Sequence, residues 1–417
     1  MSHLRFLTSG ESHGKALIGI LEGIPSGLSL SEDDIDRDLK RRQGGYGRGA
    51  RMKIESDHAE ILSGVRSGKT IGSPITLLIE NKDWKNWIDV MSVERRSPDA
   101  ESEKITRPRP GHADLAGAIK YGTHDIRNIL ERSSARETAM RVALGAITKK
   151  FLSDFDVNIG SYVVQIGNVK IQNSKLKTQN SPNELLSLFK KAEDSPVRCS
   201  DKTVSEEMIK LIDRATKEGN SLGGIFEVFV TGVPVGLGSH IQWDKRLDGR
   251  LAQALMSIQA IKGIEVGFGF DMAKHFGSEV MDEIFYRASS KEQRAKGLHS
   301  QLPTSNSEFA TGFYRKTNYA GGIEGGITNG MPIILRAAMK PIPTLKRPLR
   351  SIDIVTKEQV EAAYERSDIC AVPAAGVIAE AMVALIIADA FLEKFGGDNI
   401  DETKRSYVSY VENIEKF

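Results

Sequence analysis

The sequence predicts an α+β fold built in layers, on three observations. Strand-like segments at 53–54, 75–80, 225–233 and 333–339 alternate irregularly with helical ones. No 20- to 50-residue period recurs, which argues against a repeat architecture. Regular helical crossovers between the strands are missing, so a doubly wound parallel sheet is not indicated.

The elements follow in order. A helix over 32–42 is capped by Ser31, with Glu32, Asp33 and Asp34 in its first turn to meet the free amides and the positive helix end. A second is expected over 134–152, and a third over 206–217, where Thr203 and Glu206 could form a capping box. Two more are expected over 245–261 and 357–366. The apolar stretch 372–391 carries Glu380 and Asp389, which a bilayer span tolerates poorly, and is read as a buried helix. Three polar stretches, 82–105 with Trp84 and Trp87, 166–205 rich in Asn, Lys and Ser, and 289–307, are read as peripheral insertions in one domain spanning 1–417.

Composition narrows the function. The 417 residues hold 57 basic and 55 acidic side chains, a net charge of +2, with 40% hydrophobic and 27% charged residues. That excludes disordered and collagen-like chains and argues against a nucleic-acid coat or polybasic membrane anchor. Two cysteines, Cys199 and Cys370, make no disulfide framework, which fits a reducing cytosol. The N-terminus lacks the apolar run of a signal peptide.

Several motifs fail. Gly64-Val-Arg-Ser-Gly68-Lys69-Thr70 has three residues between its glycines where a phosphate loop needs four. No Gly-x-Gly-x-x-Gly occurs, so a Rossmann site is unsupported. Gly10-Glu11-Ser12-His13-Gly14 matches the hydrolase elbow, but too few residues precede it to build the sheet beneath; a serine hydrolase using Ser12 stays as an alternative. No His-Glu-x-x-His or similar spacing appears, so no catalytic metal is expected.

Three arginine clusters survive. Residues 37–53 hold seven bases (Arg37, Lys40, Arg41, Arg42, Arg48, Arg51, Lys53) against one acid, Asp38, around the run Gly44-Gly-Tyr-Gly-Arg-Gly49. Guanidinium groups grip phosphate and carboxylate in bidentate fashion. Lys104, Arg107, Arg109 and His112 form the second cluster, stiffened by Pro108 and Pro110. The third, Arg127 to Arg141, contains Arg132-Ser-Ser-Ala-Arg136 at a helix start, where free amides favour an anion. One highly anionic small ligand would bring the three together. A polyanion-binding module on the basic loop is the non-enzymatic alternative, but Tyr46 is that loop's only aromatic, so nucleic acid is not expected. His13 and His112 are expected in loops beside cations, a setting that lowers a histidine's pKa and suits a proton donor. Late in the chain, the glycine run 318–330, Lys340-Pro-Ile-Pro-Thr344 and Arg366-Ser-Asp368 offer amides, a lysine and an ion pair to a phosphorylated planar cofactor.

These residues carry a resemblance. Gly10-Glu-Ser-His-Gly14, Arg132-Ser-Ser-Ala-Arg-Glu-Thr-Ala-Met-Arg-Val-Ala143 and Arg366-Ser-Asp-Ile-Cys-Ala-Val-Pro-Ala374, in this order and spacing, resemble the signatures of the chorismate synthase family. The stretches 41–49, 107–114 and 322–330 are similar too. The resemblance implies a β-α-β sandwich with helices between two antiparallel sheets, in a homotetrameric cytoplasmic enzyme. It implies an anti 1,4-elimination of phosphate from 5-enolpyruvylshikimate 3-phosphate to give chorismate, with reduced FMN required.

By that resemblance Arg42, Arg48, Arg51, Arg109 and Arg136 would bind substrate, and His13 would protonate the departing phosphate. His112 would protonate the reduced flavin, and Asp368 would assist proton removal through flavin N5. The flavin would lie against Arg132, Ser133, Ser134, Gln259, Ala260, Gly325, Lys340, Pro341, Ile342, Pro343, Thr344 and Arg366. Gln259 stands where many relatives have asparagine. Arg42 and Arg48 are also the positions of NADP contact in members that reduce their own flavin; here an external flavin-reducing system is expected.

Overall fold

A computed structural model describes residues 3–48, 56–94, 104–172, 181–287, 312–365, 367–414 and 416–417. Two antiparallel sheets enclose a layer of helices. The first holds β1 (Arg5–Ser9), β2 (Ala16–Glu22), β3 (Glu60–Ser63) and β4 (Ile75–Glu80) in the order β1-β2-β4-β3. The second holds β5 (Asn158–Ile166), β6 (Val169–Lys170), β7 (Gly224–Thr231), β8 (Ile261–Val266) and β9 (Ile333–Met339) in the order β8-β9-β7-β5-β6. Between them lie α1 (Glu32–Gln43), α4 (Thr138–Ser153), α7 (Leu247–Met256) and α8 (Val372–Phe395). This is the α+β sandwich that the resemblance implies.

The helix α8 is apolar and long enough by composition to cross a membrane, yet 94% of its most apolar window is buried inside the fold. It packs on α4 so closely that a methyl added at Gly145 would lie 2.3 Å from the Ala381 Cβ. A helix buried on all sides needs no polar face, and its two carboxylates are instead paired. Asp389 accepts the Leu4 N–H at 2.7 Å and Arg250 at 2.5 Å.

Glu380, fully buried, is the centre of a larger network. Its carboxylate accepts Arg41 at 2.7 and 2.8 Å, Lys149 at 2.9 Å, Arg198 at 3.2 Å and the Ser161 hydroxyl at 2.7 Å. Asp38 also pairs with Arg41 and Lys149, each at 2.9 Å. The network ties α1, α4, β5 and the segment after α5 (Pro182–Glu193) to the middle of α8. Burial works against the Glu380 carboxyl, but the surrounding cations hold its pKa far below the usual range.

Several boundaries differ from expectation for visible reasons. The helix expected over 134–152 starts four residues late: α3 (Arg127–Ser133) ends at Ser134, whose backbone is extended. A single 3-10 turn, Ala135–Glu137, then leads into α4. The helix expected over 206–217 begins earlier, as α6 (Lys202–Lys217), because the Asp201 side chain caps it by accepting the Val204 N–H at 3.0 Å. Over 245–261 only α7 is helical, and Ile261 already belongs to β8. No helix forms over the described part of 357–366. There Arg350–Ile352 pairs with Gln359–Glu361, Asp353 accepts the N–H groups of Val355 and Thr356, and Lys357 takes a left-handed φ of 68°.

The polar stretch 166–205 contains α5, which lays Leu185 and Ala192 on the outer face of the second sheet beside Tyr162 and Phe229. Gly64 to Thr70 folds as a small hairpin with left-handed Ser67 and Gly68 at its tip, so the failed phosphate loop is a β-turn. The strand expected at 53–54 and the insertion at 289–307 lie outside the described residues.

Glu380→Gln leaves three cations short of a buried counter-charge. It is expected to lower stability at pH 7 by about 3 to 5 kcal/mol in urea unfolding. Since the folded carboxyl titrates below the unfolded one, the native advantage is complete above the ordinary glutamate value of about 4.3 and shrinks as the pH falls beneath it. A gap equal at pH 7 and at pH 3.5 would contradict this assignment.

Candidate active site

The first arginine cluster is divided by helical geometry. Arg41 and Arg42 are neighbours near the end of α1, but successive residues of a helix point about 100° apart. Arg41 turns into the Glu380 network, whereas Arg42 turns toward the 3-10 turn before α4. There it donates to the Ala135 carbonyl at 2.9 Å and to the Thr138 hydroxyl at 3.0 and 3.1 Å. Asp57 lies between two guanidinium groups, 3.7 Å from Arg42 and 2.7 Å from Arg136. Burial brings the Arg42 pKa down to about 10; Asp57 opposes this, and Arg48 and Arg136 add to it. Arg48 pairs with Asp368 at 3.3 Å. The glycine loop that carries Arg48 is docked by the Ile369 N–H on the Gly47 carbonyl at 2.8 Å. Arg42, Arg48, Arg136 and Asp368 thus form one group, from residues up to hundreds apart in sequence.

His13 stands beside this group. The connection that holds it joins β1 to β2, two antiparallel strands, so Gly10 to Gly14 is not a strand-to-helix elbow. Ser12 is buried, and its hydroxyl accepts the Ser134 hydroxyl at 3.1 Å. The His13 ring has Glu131 at 2.8 Å from Nδ1 and Trp87 stacked at 3.7 Å. His13 lies in a loop as expected, but the charged group against its ring is a carboxylate, with the Arg127 guanidinium 3.2 Å behind it. Burial opposes the Glu131 carboxylate, but the hydrogen bond and charge of His13, with Arg127 behind, keep its pKa below the usual range. Arg132 crosses to β1, donating to the Thr8 and Gly10 carbonyls at 2.8 and 3.0 Å.

A second group forms around Arg109. Its guanidinium donates to Asp114 at 2.8 Å and to the Thr344 hydroxyl at 3.1 Å, and lies 3.1 Å from His112 Nδ1. His112 also has Asp114 at 2.5 Å, so it too gains a carboxylate partner beside the cation. Burial disfavours the Asp114 carboxylate, yet His112 and Arg109 hold its pKa well below the ordinary range. Lys340 donates to the Gly111 carbonyl at 2.5 Å, and burial, with Lys262 nearby, lowers its pKa. Residues 340–344 are fixed further by the Ser221 hydroxyl on the Ile342 carbonyl at 2.6 Å.

The two groups meet at one dipeptide. Ser367 donates to the Thr344 carbonyl at 3.1 Å, and the next residue, Asp368, pairs with Arg48. The Gln259 amide donates to Glu137, the residue after Arg136, at 2.9 Å, while Ala260 accepts the Lys340 N–H at 2.9 Å. Gly325 lies in the hairpin Ile323–Thr328, with the His240 Cβ 4.0 Å from where a side chain would start. Ser133 ends α3 between Arg132 and Ser134, and Pro341 and Pro343 stiffen the 340–344 turn. Arg51 and Arg366 lie outside the described residues. Asp57, Asp114 and Glu131 were given no role from the sequence: Asp114 and Glu131 sit inside stretches read for their bases, and Asp57 lies beyond the basic run 37–53.

Whether the site suits a flavin can be tested on its polar atoms. The Gln259 carbonyl oxygen is buried without a hydrogen-bond partner among the described residues. It follows the last turn of α7 and precedes Ala260, whose φ of 68° presents the turn's edge. An unsatisfied buried acceptor next to a partly desolvated lysine matches a flat heterocycle that carries a ring N–H and an anionic tail. The residues present fit that group.

Comparison with known proteins agrees with these features. The chorismate synthase family model matches residues 4–392. The chorismate synthase of Aquifex aeolicus (strain VF5) is 56% identical over 418 residues, covering 100% of both chains. That of Geotalea uraniireducens (strain Rf4) is 56% identical over 413 residues, covering 99% of this chain and 100% of its own. A crystal structure of chorismate synthase superposes with a TM-score of 0.77 at 47% identity over 99% of each chain. Arginines, histidines and sandwich therefore occur together in a chain that belongs to the chorismate synthase family.

Proposed function

We propose that the chain eliminates phosphate from 5-enolpyruvylshikimate 3-phosphate by an anti 1,4-elimination, giving chorismate for aromatic amino acid biosynthesis, as a carbon-oxygen lyase. The observation that carries this reading is the convergence of Arg42, Arg48 and Arg136 on one buried site, around the carboxylates of Asp57 and Asp368. The substrate's two carboxylates and its phosphate supply the missing negative charge. Like charges gathered in a low-dielectric site repel, and a polyanion relieves that cost on binding.

In this reading Arg42, Arg48, Arg109 and Arg136, with Arg51, bind and orient the anionic groups. His13 delivers a proton to an oxygen of the phosphate as the carbon–oxygen bond breaks. Asp368 is the carboxylate that assists loss of the C6 proton, and His112 holds a proton at the flavin's edge, between Asp114 and Arg109. Reduced FMN, when bound, supplies transient electron density to a reaction that is redox-neutral overall. Residues 132–134, Gln259, Ala260, Lys340 to Thr344 and Arg366 would hold it, with Gly325 assigned by resemblance. An external system would keep it reduced, and Arg42 and Arg48 are where NADP contact would fall in a self-reducing enzyme.

We infer a cytoplasmic homotetramer. Burial pushes both thiols, Cys199 and Cys370, up to about 11, which suits a reducing compartment. Leu7, Ile18 and Ile20 leave an apolar strip on the first sheet that suits self-association. A serine hydrolase is disfavoured by the burial of Ser12 and its place between antiparallel strands.

Anaerobic assays with reduced FMN test the reaction directly. Phosphate release is expected only with both flavin and substrate present, and His13→Ala and His112→Ala should each lower the rate about 100-fold or more. Full rate in either variant would remove that histidine from the chemistry. A second test concerns charge: Asp57→Asn is expected to cost about 3 kcal/mol of stability by exposing Arg42 to Arg136. Inorganic phosphate should then raise the unfolding temperature of the variant more than that of the native chain. Equal responses would show that no anion takes the place of Asp57.

A further inference from the structure

We propose that Glu131 and Trp87 are positioning residues for His13, fixing its ring so that proton exchange with the departing phosphate runs through Nε2. The inference deepens the assignment of His13 given above and rests on it.

The geometry consists of two independent restraints. Glu131, buried to 3% side-chain exposure, takes hold of His13 twice, with Oε1 at 2.8 Å from the ring Nδ1 and Oε2 accepting the His13 backbone N–H at 2.8 Å. The backbone carbonyl of the same residue accepts the Ser12 N–H at 2.9 Å. A carboxylate on Nδ1 selects the form of the ring that carries its hydrogen there. Arg127 donates to the same Oε1 at 3.2 Å, which holds the carboxylate in place from behind.

The second restraint comes from the polar excursion after β4. Trp87 lies against the imidazole with ring centroids 3.7 Å apart and planes inclined by 25°. Arg127 reaches over the same indole at 5.4 Å. The excursion is fastened for this purpose at three points. Asn81 donates to the Gly14 carbonyl at 2.8 Å and accepts the Asp83 N–H at 3.1 Å, and Asp83 accepts the Trp87 indole N–H at 2.9 Å. A histidine in a glycine-flanked connection would otherwise rotate about both side-chain torsions. Here one edge is held by a carboxylate and one face by an indole, so orientation is set before substrate arrives. In the reaction His13 starts with a hydrogen on each ring nitrogen, and the proton on Nε2 passes to a phosphate oxygen while the carbon–oxygen bonding pair goes to that phosphate. His13 is left neutral with its remaining hydrogen on Nδ1, toward Glu131.

The test compares Glu131→Gln, Trp87→Leu and Trp87→Phe, each alone and with His13→Ala, in the anaerobic phosphate-release assay. Glu131→Gln and Trp87→Leu should each lower kcat about 10- to 100-fold with KM changed less than about twofold, and Trp87→Phe should recover most of the loss. In the His13→Ala background, each should add less than about twofold, because both act through the missing ring. Equal losses with and without His13, or a change confined to KM, would overturn the proposal. A readout independent of turnover is the 15N spectrum of the histidine ring in the substrate-free chain. Recorded at a pH where the ring is neutral, it should show the Nδ1–H form in the native protein and a mixture in Glu131→Gln; an unchanged spectrum would overturn the positioning role. Full activity of His13→Ala alone would refute the assignment of His13 itself, while the spectrum would still decide what Glu131 does.

Discussion

The buried carboxylate of Glu380 is the constraint on which the arrangement depends. Three cations from separate parts of the chain reach it: Arg41 from α1, Lys149 from α4 and Arg198 from beyond α5. A charge in the middle of an apolar helix is costly unless its partners arrive in one geometry. The network therefore specifies how α1 and α4 are rotated against α8 as much as it adds stability. The close contact of Gly145 with Ala381 completes the same interface by shape.

That rotation decides what the neighbouring residues do. With Arg41 turned inward, Arg42 faces the turn before α4, where Arg136 and Asp57 are waiting. The break at Ser134 matters for the same reason. A continuous helix would carry residues 132 to 136 around a cylinder, whereas the extended residue between α3 and the 3-10 turn lets Arg132 reach β1 and Arg136 reach Asp57. Two structural decisions, one electrostatic and one conformational, place the basic groups without any dedicated binding domain.

Much of this was legible in the sequence, though unevenly. The strands at 75–80 and 333–339 are largely apolar runs that open on isoleucine and agree with the structure to the residue. Strands β2 and β5 were not read because glycine and serine interrupt them, for reasons of packing rather than turning. A side chain at Gly19 would meet the Met140 sulfur at 2.5 Å, and Ser161 is small and polar because it serves Glu380. The structure brings Arg42, Arg48 and Arg136 together, and in the sequence the basic clusters stood out by local charge alone. Their division of labour did not, since Arg41 and Arg42 look alike in sequence. Nor did the acids that hold them: Asp57 lies 79 residues from Arg136, and Glu131 lies 118 from His13. Long-range pairs of this kind leave no local pattern to read.

The dipeptide Ser367-Asp368 touches the Thr344 turn with one residue and Arg48 with the next. Because adjacent residues cannot move independently, a shift of this segment toward either neighbour carries the other residue with it. The 340–344 turn and the glycine loop are thereby linked through two neighbouring residues, so the position of one constrains the position of the other.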